Sequence, residues 1–300
     1  LKFLIIIPVH NEEKNISFCL KSLEYQTFSD FDMILVNDGS TDRTQEKIEQ
    51  FVSGSSIRQK IKVIRLGKSG HEPGAKVVRT FNTGLQAADL TQYDVICKFD
   101  ADIIFPENYL EQLNDAYETQ PKAGMVSGIV KIKKEVLDYS KAFDFTNSKM
   151  QWKFEDISSR NHVRGPIKSY RKKCFEDMQG LRPVLGWDNI DVLLARMHGW
   201  EIITIKNLWV KHLRPTAYQY KNQRAEKLGQ YFYNIGLNVP LMLVSALKAS
   251  WKNRSVKDFC TIVRSFLKQN HPIVLSEEEI HYIRRSRTDD LLRKLKRKTS

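Results

Sequence analysis

The sequence predicts an α/β fold, a mostly parallel sheet flanked by helices, followed by a helical and basic C-terminal extension. Three observations lead there. Short, continuously apolar runs alternate with stretches of helical period over the first third of the chain, as strands buried on both faces alternate with crossover helices. Polar turn clusters close these runs, and ligands of such sheets bind at the carboxyl ends of the strands. Beyond Ala217 the composition changes: from Lys248 to the end there are 14 Lys and Arg against 6 Asp and Glu.

Phe3 to Val9 is the first apolar run and predicts a buried strand. Asn15 suits the cap of a helix carrying Ile16, Leu20 and Leu23 on one stripe. Asp32 to Val36 predicts a second strand, ending in the turn cluster Asn37-Asp38-Gly39-Ser40. A helix from Asp42 through Ile48 and Phe51 follows, then a strand over Ile61 to Leu66, stopped by Gly67. Thr83 to Leu90 predicts a helix and Tyr93 to Phe99 a fourth strand. Farther on, Met125 to Lys133 reads as a strand and Asp191 to His198 as a helix closed by Gly199. Ile202 to Ile205 and Leu208 to Val210 read as two short strands. Gly236 to Leu247 is apolar but too short to cross a bilayer, and Pro240 must sit near the start of any helix there.

The net charge of +13 points to anionic partners: a phosphorylated substrate or an anionic lipid surface. Nucleic acid is not expected, since no RNP, KH or zinc signature accompanies the charge. Four widely spaced cysteines, with no CxxC pair, predict neither a disulfide framework nor a zinc site. A reducing cytoplasm follows as the expected compartment. Leu237, Leu241, Val244 and Leu247, followed by Lys248 and Lys252, suit a helix lying on an anionic membrane as a peripheral anchor, or equally one packed on the rest of the chain.

The chemistry is carried by acidic residues at strand ends. Asp100-Ala101-Asp102 follows the fourth strand. Two carboxylates beside a crevice suit a hard cation such as Mn²⁺ or Mg²⁺, which in turn suits diphosphate oxygens. Taken alone, the triplet also fits a solvated turn. Asp38 lies beyond the second strand, where a carboxylate can accept from a ribose hydroxyl or a base N–H, or form the turn itself.

Pro8-Val9-His10-Asn11-Glu12, Val36-Asn37-Asp38-Gly39-Ser40-Thr41-Asp42 and Phe99-Asp100-Ala101-Asp102, in that order, resemble the motifs of family 2 glycosyltransferases. The resemblance covers residues 3 to 215, about 70% of the chain. It implies the GT-A fold and inverting transfer of a sugar from a UDP-, GDP- or dTDP-sugar to a hydroxyl of a glycan or lipid-linked acceptor, as in envelope polysaccharide synthesis. It further implies a catalytic unit over 1–216, with a nucleotide-binding half (1–120) and an acceptor and catalytic-base half (121–216), and a helical basic region over 217–300. Residue by residue, Pro8, Val9, Asn11 and Asp38 border the nucleoside. Glu12 holds the loop or contacts the ribose, Asp100 and Ala101 lie at the ribose or metal, and Asp102 ligates the metal. Lys76 and Arg79 lie near the diphosphate, with simple surface charge an equal reading. His212 is a third metal ligand or a diphosphate contact.

The family's Glu-Asp pair is matched by Trp187-Asp188, ahead of a helix ending in Gly199-Trp200. The alignment implies Asp188 as the base, with Asp191 also available. Gly165 and Trp187 are implied on the acceptor side, with Arg164, Lys168 and Arg171 to Lys173 suited to a phosphorylated acceptor. Two alternatives remain. An inactive, transferase-like scaffold fits the missing Glu. A sugar nucleotidyltransferase fits the nucleotide and metal, although Pro8 to Glu12 lacks its glycine-rich loop. A dinucleotide oxidoreductase is excluded because no GxGxxG follows Val9.

Overall fold

The computed structural model describes residues 1–67, 74–134, 150–155, 162–214 and 223–299. Strand β1 (Phe3–Val9) is central. Its alternate side chains enter two cores: Phe3, Ile5, Ile7 and Val9 on one face, Leu4 and Ile6 on the other. A strand with apolar residues on both faces needs helices on both, which explains the unbroken apolar run.

Strands β2 (Phe31–Asp38), β3 (Ile61–Leu66) and β4 (Val95–Phe99) join β1 in parallel, in the order β3-β2-β1-β4. Helices α1 (Ile16–Glu24), α2 (Thr44–Gly54) and α4 (Tyr109–Thr119) cover the first face with Leu20, Ile48 and Leu110 among others. Helix α3 (Ala75–Gln86) covers the second with Val78 and Phe81. Gly84 lets α3 approach closely: a Cβ there would lie 2.6 Å from Ile6 Cγ2. The expected helix over Thr83 to Leu90 is therefore displaced. The burial of Val78 and Phe81 places its start at Ala75, and after Gln86 the chain reaches β4 through a 3-10 turn at Leu90–Gln92, capped by Asp89.

Past β4 the sheet becomes mixed. Strand β5 (Ile103–Ile104), β6 (Ala123–Lys133), β7 (Trp152–Phe154), β8 (Ile167–Arg171) and β9 (Glu201–His212) bring the strands among the described residues to nine, in the order β3-β2-β1-β4-β8-β6-β9-β5, with β7 beside β6. Strand β8 runs antiparallel between β4 and β6, while β6 and β9 are parallel. The two short strands expected at 202–205 and 208–210 are one strand. Strand β9 bulges, using Ile205–Leu208 where β6 uses only Gly128. A Cβ at Gly128 would meet the Leu208 carbonyl oxygen at 2.7 Å, so glycine lets the bulge close.

Helices α5 (Lys172–Asp177) and α6 (Trp187–Met197) pack on the second face. Helix α6 starts at Trp187 rather than Asp191, because Gly186, at φ 93°, supplies the left-handed entry. The expected boundary near 216–217 lies outside the described residues. Beyond it, α7 (Arg224–Asn234), α8 (Val239–Asn253), α9 (Val256–Leu267) and α10 (Glu277–Thr299) extend the second core through Phe232, Met242, Ile262 and Ile283. Arg182 and Glu279 pair at 2.7 Å across this junction. Pro240 does occupy the first turn of α8, and Asn238 caps it. One stripe of α8 faces outward, Leu243, Val244, Leu247 and Trp251, the last 82% exposed, whereas Leu237 and Leu241, expected on that stripe, pack on the second core. Among the described residues, no helix is long and apolar enough to cross a membrane.

Candidate active site

The carboxyl ends of β1, β2 and β4 open on one side of the sheet, and β9 delivers His212 beside them. The turn after β2 is fastened to the loop after β1. His10 Nδ1 lies 2.7 Å from the Asp38 carbonyl oxygen. Asn11 accepts from Thr41 N–H at 2.8 Å and its own N–H donates to Ser40 Oγ at 3.0 Å. Asn11 holds φ at 54°, a left-handed value that asparagine tolerates better than most side chains. Val9 and Ala101 are buried, and Pro8 is half-buried. The Asp38 carboxylate accepts from Thr80 at 2.8 Å and lies 3.4 Å from Lys76 Nζ. Helix α3 thus turns Lys76 toward the β2 turn, while Arg79 is exposed.

From this loop a chain of ion pairs runs across the site. Arg214 bridges Glu12 and Asp102, the latter at 3.4 Å. Asp102 Oδ1 lies 3.5 Å from His212 Nε2, and His212 Nδ1 lies 3.2 Å from Glu155. Glu155 accepts from Arg164 at 2.9 Å. Next to Arg164, a Cβ at Gly165 would meet Asp188 Oδ2 at 3.4 Å. Asp100 pairs with the buried Lys98, whose Nζ also donates to the Gly165 carbonyl at 3.3 Å. The turn at Asp38, the pair Asp100 and Asp102, His212 and Asp188 therefore belong to one contiguous cluster.

Burial and neighbouring charge set its electrostatics. Burial, reinforced by Asp102, pushes Glu12 up to about 7. Burial also opposes ionisation of Asp102, but His212 and Arg214 outweigh it and hold the carboxyl below its usual range. Burial disfavours the His212 cation, yet Asp102 and Glu155 prevail and raise the ring to about 10. Among the described residues, no group of three or more His, Cys, Asp or Glu side chains is arranged to hold a metal ion. Asp102 and His212 face each other at 3.5 Å, and Glu155 lies on the second ring nitrogen.

Three sequence expectations change. Asp191 is 2% exposed; one oxygen takes the Tyr170 hydroxyl at 2.7 Å, and the fully buried Lys168 lies 2.8 Å away. A carboxylate so sealed cannot reach an acceptor hydroxyl. Trp187 is 6% exposed, with Lys98 and Lys168 over its ring at 5.0 and 5.8 Å, so its ring is packed rather than offered to a sugar. Arg164 and Lys168 are buried in ion pairs, and Arg171 donates to the carbonyls of Ala123 and Tyr117, so these cations support the scaffold rather than meet a phosphate. Lys172 donates to the Leu90 carbonyl and Lys173 pairs with Asp177. Asp188 differs from all of these: it is half-buried in the first turn of α6, and its carboxylate has no hydrogen-bond or ion-pair partner among the described residues. Arg214, Glu155 and Lys98 were missed. Only Arg214 carried a signal, standing two residues beyond His212 at a strand end.

The model of glycosyl transferase family 2 matches residues 4–177. The uncharacterized glycosyltransferase EpsJ of Bacillus subtilis is 38% identical over 84 residues, 28% of this chain and 22% of that protein. Staphylococcus aureus TarS, a poly(ribitol-phosphate) beta-N-acetylglucosaminyltransferase, is 34% identical over 76 residues, 25% of this chain and 13% of that protein. Its crystal structure with UDP superposes with a TM-score of 0.53 at 15% identity, covering 93% of this chain and 95% of that one. The mannosyltransferase PcManGT of Pyrobaculum calidifontis, in complex with GDP-Man and Mn²⁺, gives a TM-score of 0.58 at 16% identity, covering 97% and 87%. The matches span less than half the length of the first three curated relatives, and at these identities the structural likeness speaks to fold.

Proposed function

Since this chain belongs to glycosyl transferase family 2 and has its α/β fold, we propose that it moves a sugar from a nucleotide-diphosphate donor to a hydroxyl of a glycan or lipid-linked acceptor, with inversion at the anomeric carbon and Asp188 as the base. The observation that carries this is the uncommitted Asp188 carboxylate beside Gly165, in a cluster where the other acidic side chains are engaged. A base needs a free lone pair and room for a hydroxyl. Glycine at 165 leaves that room, and the half-exposed position leaves access from solvent.

The nucleoside sits over Val9, Asn11 and Asp38 at the ends of β1 and β2, where the fastened loops form a rigid floor. Glu12 holds its loop through Arg214 and through Thr44, which accepts from the Glu12 N–H at 2.7 Å. Lys76 and Arg214 are the cations placed for a diphosphate. Asp102, with Asp100 adjacent and His212 beside it, would hold Mn²⁺ or Mg²⁺. Asp102 suits Mn²⁺ or Mg²⁺ as an oxygen donor, whereas His212, held protonated by Asp102 and Glu155, would have to release its proton to join it. The cation would neutralise charge on the departing diphosphate. The complexes of similar folds, TarS with UDP and PcManGT with GDP-Man and Mn²⁺, support a nucleotide-sugar donor.

The outward stripe of α8 supports a peripheral place on an anionic membrane, at its cytoplasmic face. Leu243, Val244, Leu247 and Trp251 present an apolar face and Lys248 lies beside them, the arrangement of an interfacial helix. The decisive test of the enzyme reading is a thermal-shift panel of UDP-, GDP-, dTDP- and CMP-sugars with and without Mn²⁺. A true donor stabilises the fold by mass action. No shift with any of them would remove the nucleotide-sugar assignment.

A further inference from the structure

The site above leaves a cavity at the sheet edge unexplained. It occupies about 520 Å³ at the open edge of β9, beneath the turn from β5 to α4. Three side-chain amides line it: Asn108 and Gln112 from the start of α4, and Asn207 from the β9 bulge. Among the described residues, none of the three side chains makes a hydrogen bond. Trp209 and Lys211 complete the polar lining. Uncommitted amides around an aromatic ring are suited to sugar hydroxyls and to the apolar face of a sugar ring.

The charges here are informative. Lys211 lies directly opposite Lys131 in the β6–β9 register. Like charges placed opposite each other destabilise a sheet, and among the described residues no carboxylate pairs with either. Each cation instead rests on an aromatic ring: Lys131 Nζ is 3.9 Å from the Trp209 centroid and Lys211 Nζ 5.5 Å from that of Trp152. These contacts hold the rings and the ammonium groups together but supply no carboxylate to either cation among the described residues. An anion in the cavity would compensate their charge.

We propose that this cavity is a binding subsite for an anionic glycan, a sugar or polyol unit bearing a phosphodiester or a carboxylate. Trp209 packs on the ring or chain, the three amides take hydroxyls, and Lys211, reinforced by Lys131, takes the charge. The assignment to the acceptor rests on the transfer reading above. Ile104 and Lys211 pair in β5 and β9, one step beyond the pair Ile103 and His212. At about 3.3 Å per residue, Ile104 is roughly 7 Å of extended chain from Asp102. The subsite would therefore grip acceptor units remote from the reacting hydroxyl.

The test is a calorimetric titration of the full chain with four probes: a glycerol phosphate oligomer, a galacturonate oligomer, neutral maltotetraose and inorganic phosphate. Binding of either anionic oligomer at least tenfold tighter than maltotetraose and phosphate is expected, and the stronger of the two identifies the anion. Trp209→Ala and Lys211→Gln should each weaken that binding at least tenfold. Asn108→Ala and Gln112→Ala, at an exposed and a half-exposed position, should together weaken it several-fold. All variants should keep the nucleotide-sugar thermal shift. Oligomers that bind no better than maltotetraose, phosphate that matches the oligomers, or affinity unchanged in the Lys211 and Asn108/Gln112 variants would each overturn the subsite. Loss of the thermal shift in the unsubstituted chain would instead defeat the transfer reading and leave glycan binding to stand alone.

Discussion

Replacing Asp188 by Asn separates catalysis from stability, because the structure gives the two aspartates of α6 opposite circumstances. The Asp188 carboxylate has no partner among the described residues and is half-buried. Its contribution to the fold is limited to an acidic group in the first turn of a helix, about 0.3–1 kcal/mol. Asn retains shape and polarity but cannot take a proton at neutral pH. General bases contribute about 10²- to 10⁴-fold to rate, equivalent to roughly 3–5 kcal/mol of barrier. The Asp188→Asn protein should therefore lose at least about two decades of turnover, within about 1 kcal/mol of native stability and with the nucleotide-sugar thermal shift intact. Asp191→Asn should behave oppositely. It leaves the fully buried Lys168 without its anion, a loss on the order of 3–5 kcal/mol, or roughly 5–8 °C in melting temperature for a chain of this size. Coupled nucleotide-release turnover and melting curves on both proteins give the comparison. Turnover of the Asp188 variant within about threefold of native would refute the assignment, since no general-base contribution of the expected size could then reside there.

Asp102→Asn should weaken nucleotide binding in the presence of Mn²⁺ and remove its metal dependence; calorimetry showing equal Mn²⁺-dependent affinity in both proteins would count against Asp102 as ligand. His162 is held down to about 4, chiefly by burial and then by Lys168. Its folded pKa lies below the unfolded value of about 6.5, so the unfolded chain binds the extra proton and stability falls as pH drops from about 6.5 toward 4. His162→Gln should lessen this loss by at most about 1.4 kcal/mol per pH unit, and denaturant titrations with the same slope in both proteins would contradict it. Leu247→Glu with Trp251→Glu should reduce sedimentation with anionic liposomes while preserving turnover on a soluble acceptor. Equal sedimentation would dissociate α8 from membrane binding.

What could be read from the sequence was local, and what could not was pairwise. Strands β1, β2 and β4 announced themselves because each buries both faces, so an apolar run is the whole requirement, while the edge strand β3 keeps Lys62 and Arg65 exposed between its apolar residues. Asp38, Asp100 and Asp102 were legible for a related reason: a carboxylate directly after a buried strand has few places to go except the crevice. Lys168 shows where this reasoning fails. In the stretch 162–174 the cations suggest an exposed basic loop. Yet β8 runs between β4 and β6, and Lys168 is buried because Asp191, on a different element, neutralises it. The same holds for Lys98 with Asp100, Arg164 with Glu155, and Arg214 with Glu12 and Asp102. Each buried cation is tolerable only with its partner, and Glu12 and Arg214 are 202 residues apart in sequence. No periodicity encodes such a match, since the strand pattern specifies which face a residue occupies but not which distant charge meets it there. The two aspartates of α6 follow the same rule. The resemblance pointed to Asp188 with Asp191 also available, and the fold distinguishes them by burying the Asp191 carboxylate on Lys168 and leaving the Asp188 carboxylate without a hydrogen-bond or ion-pair partner among the described residues, beside Gly165.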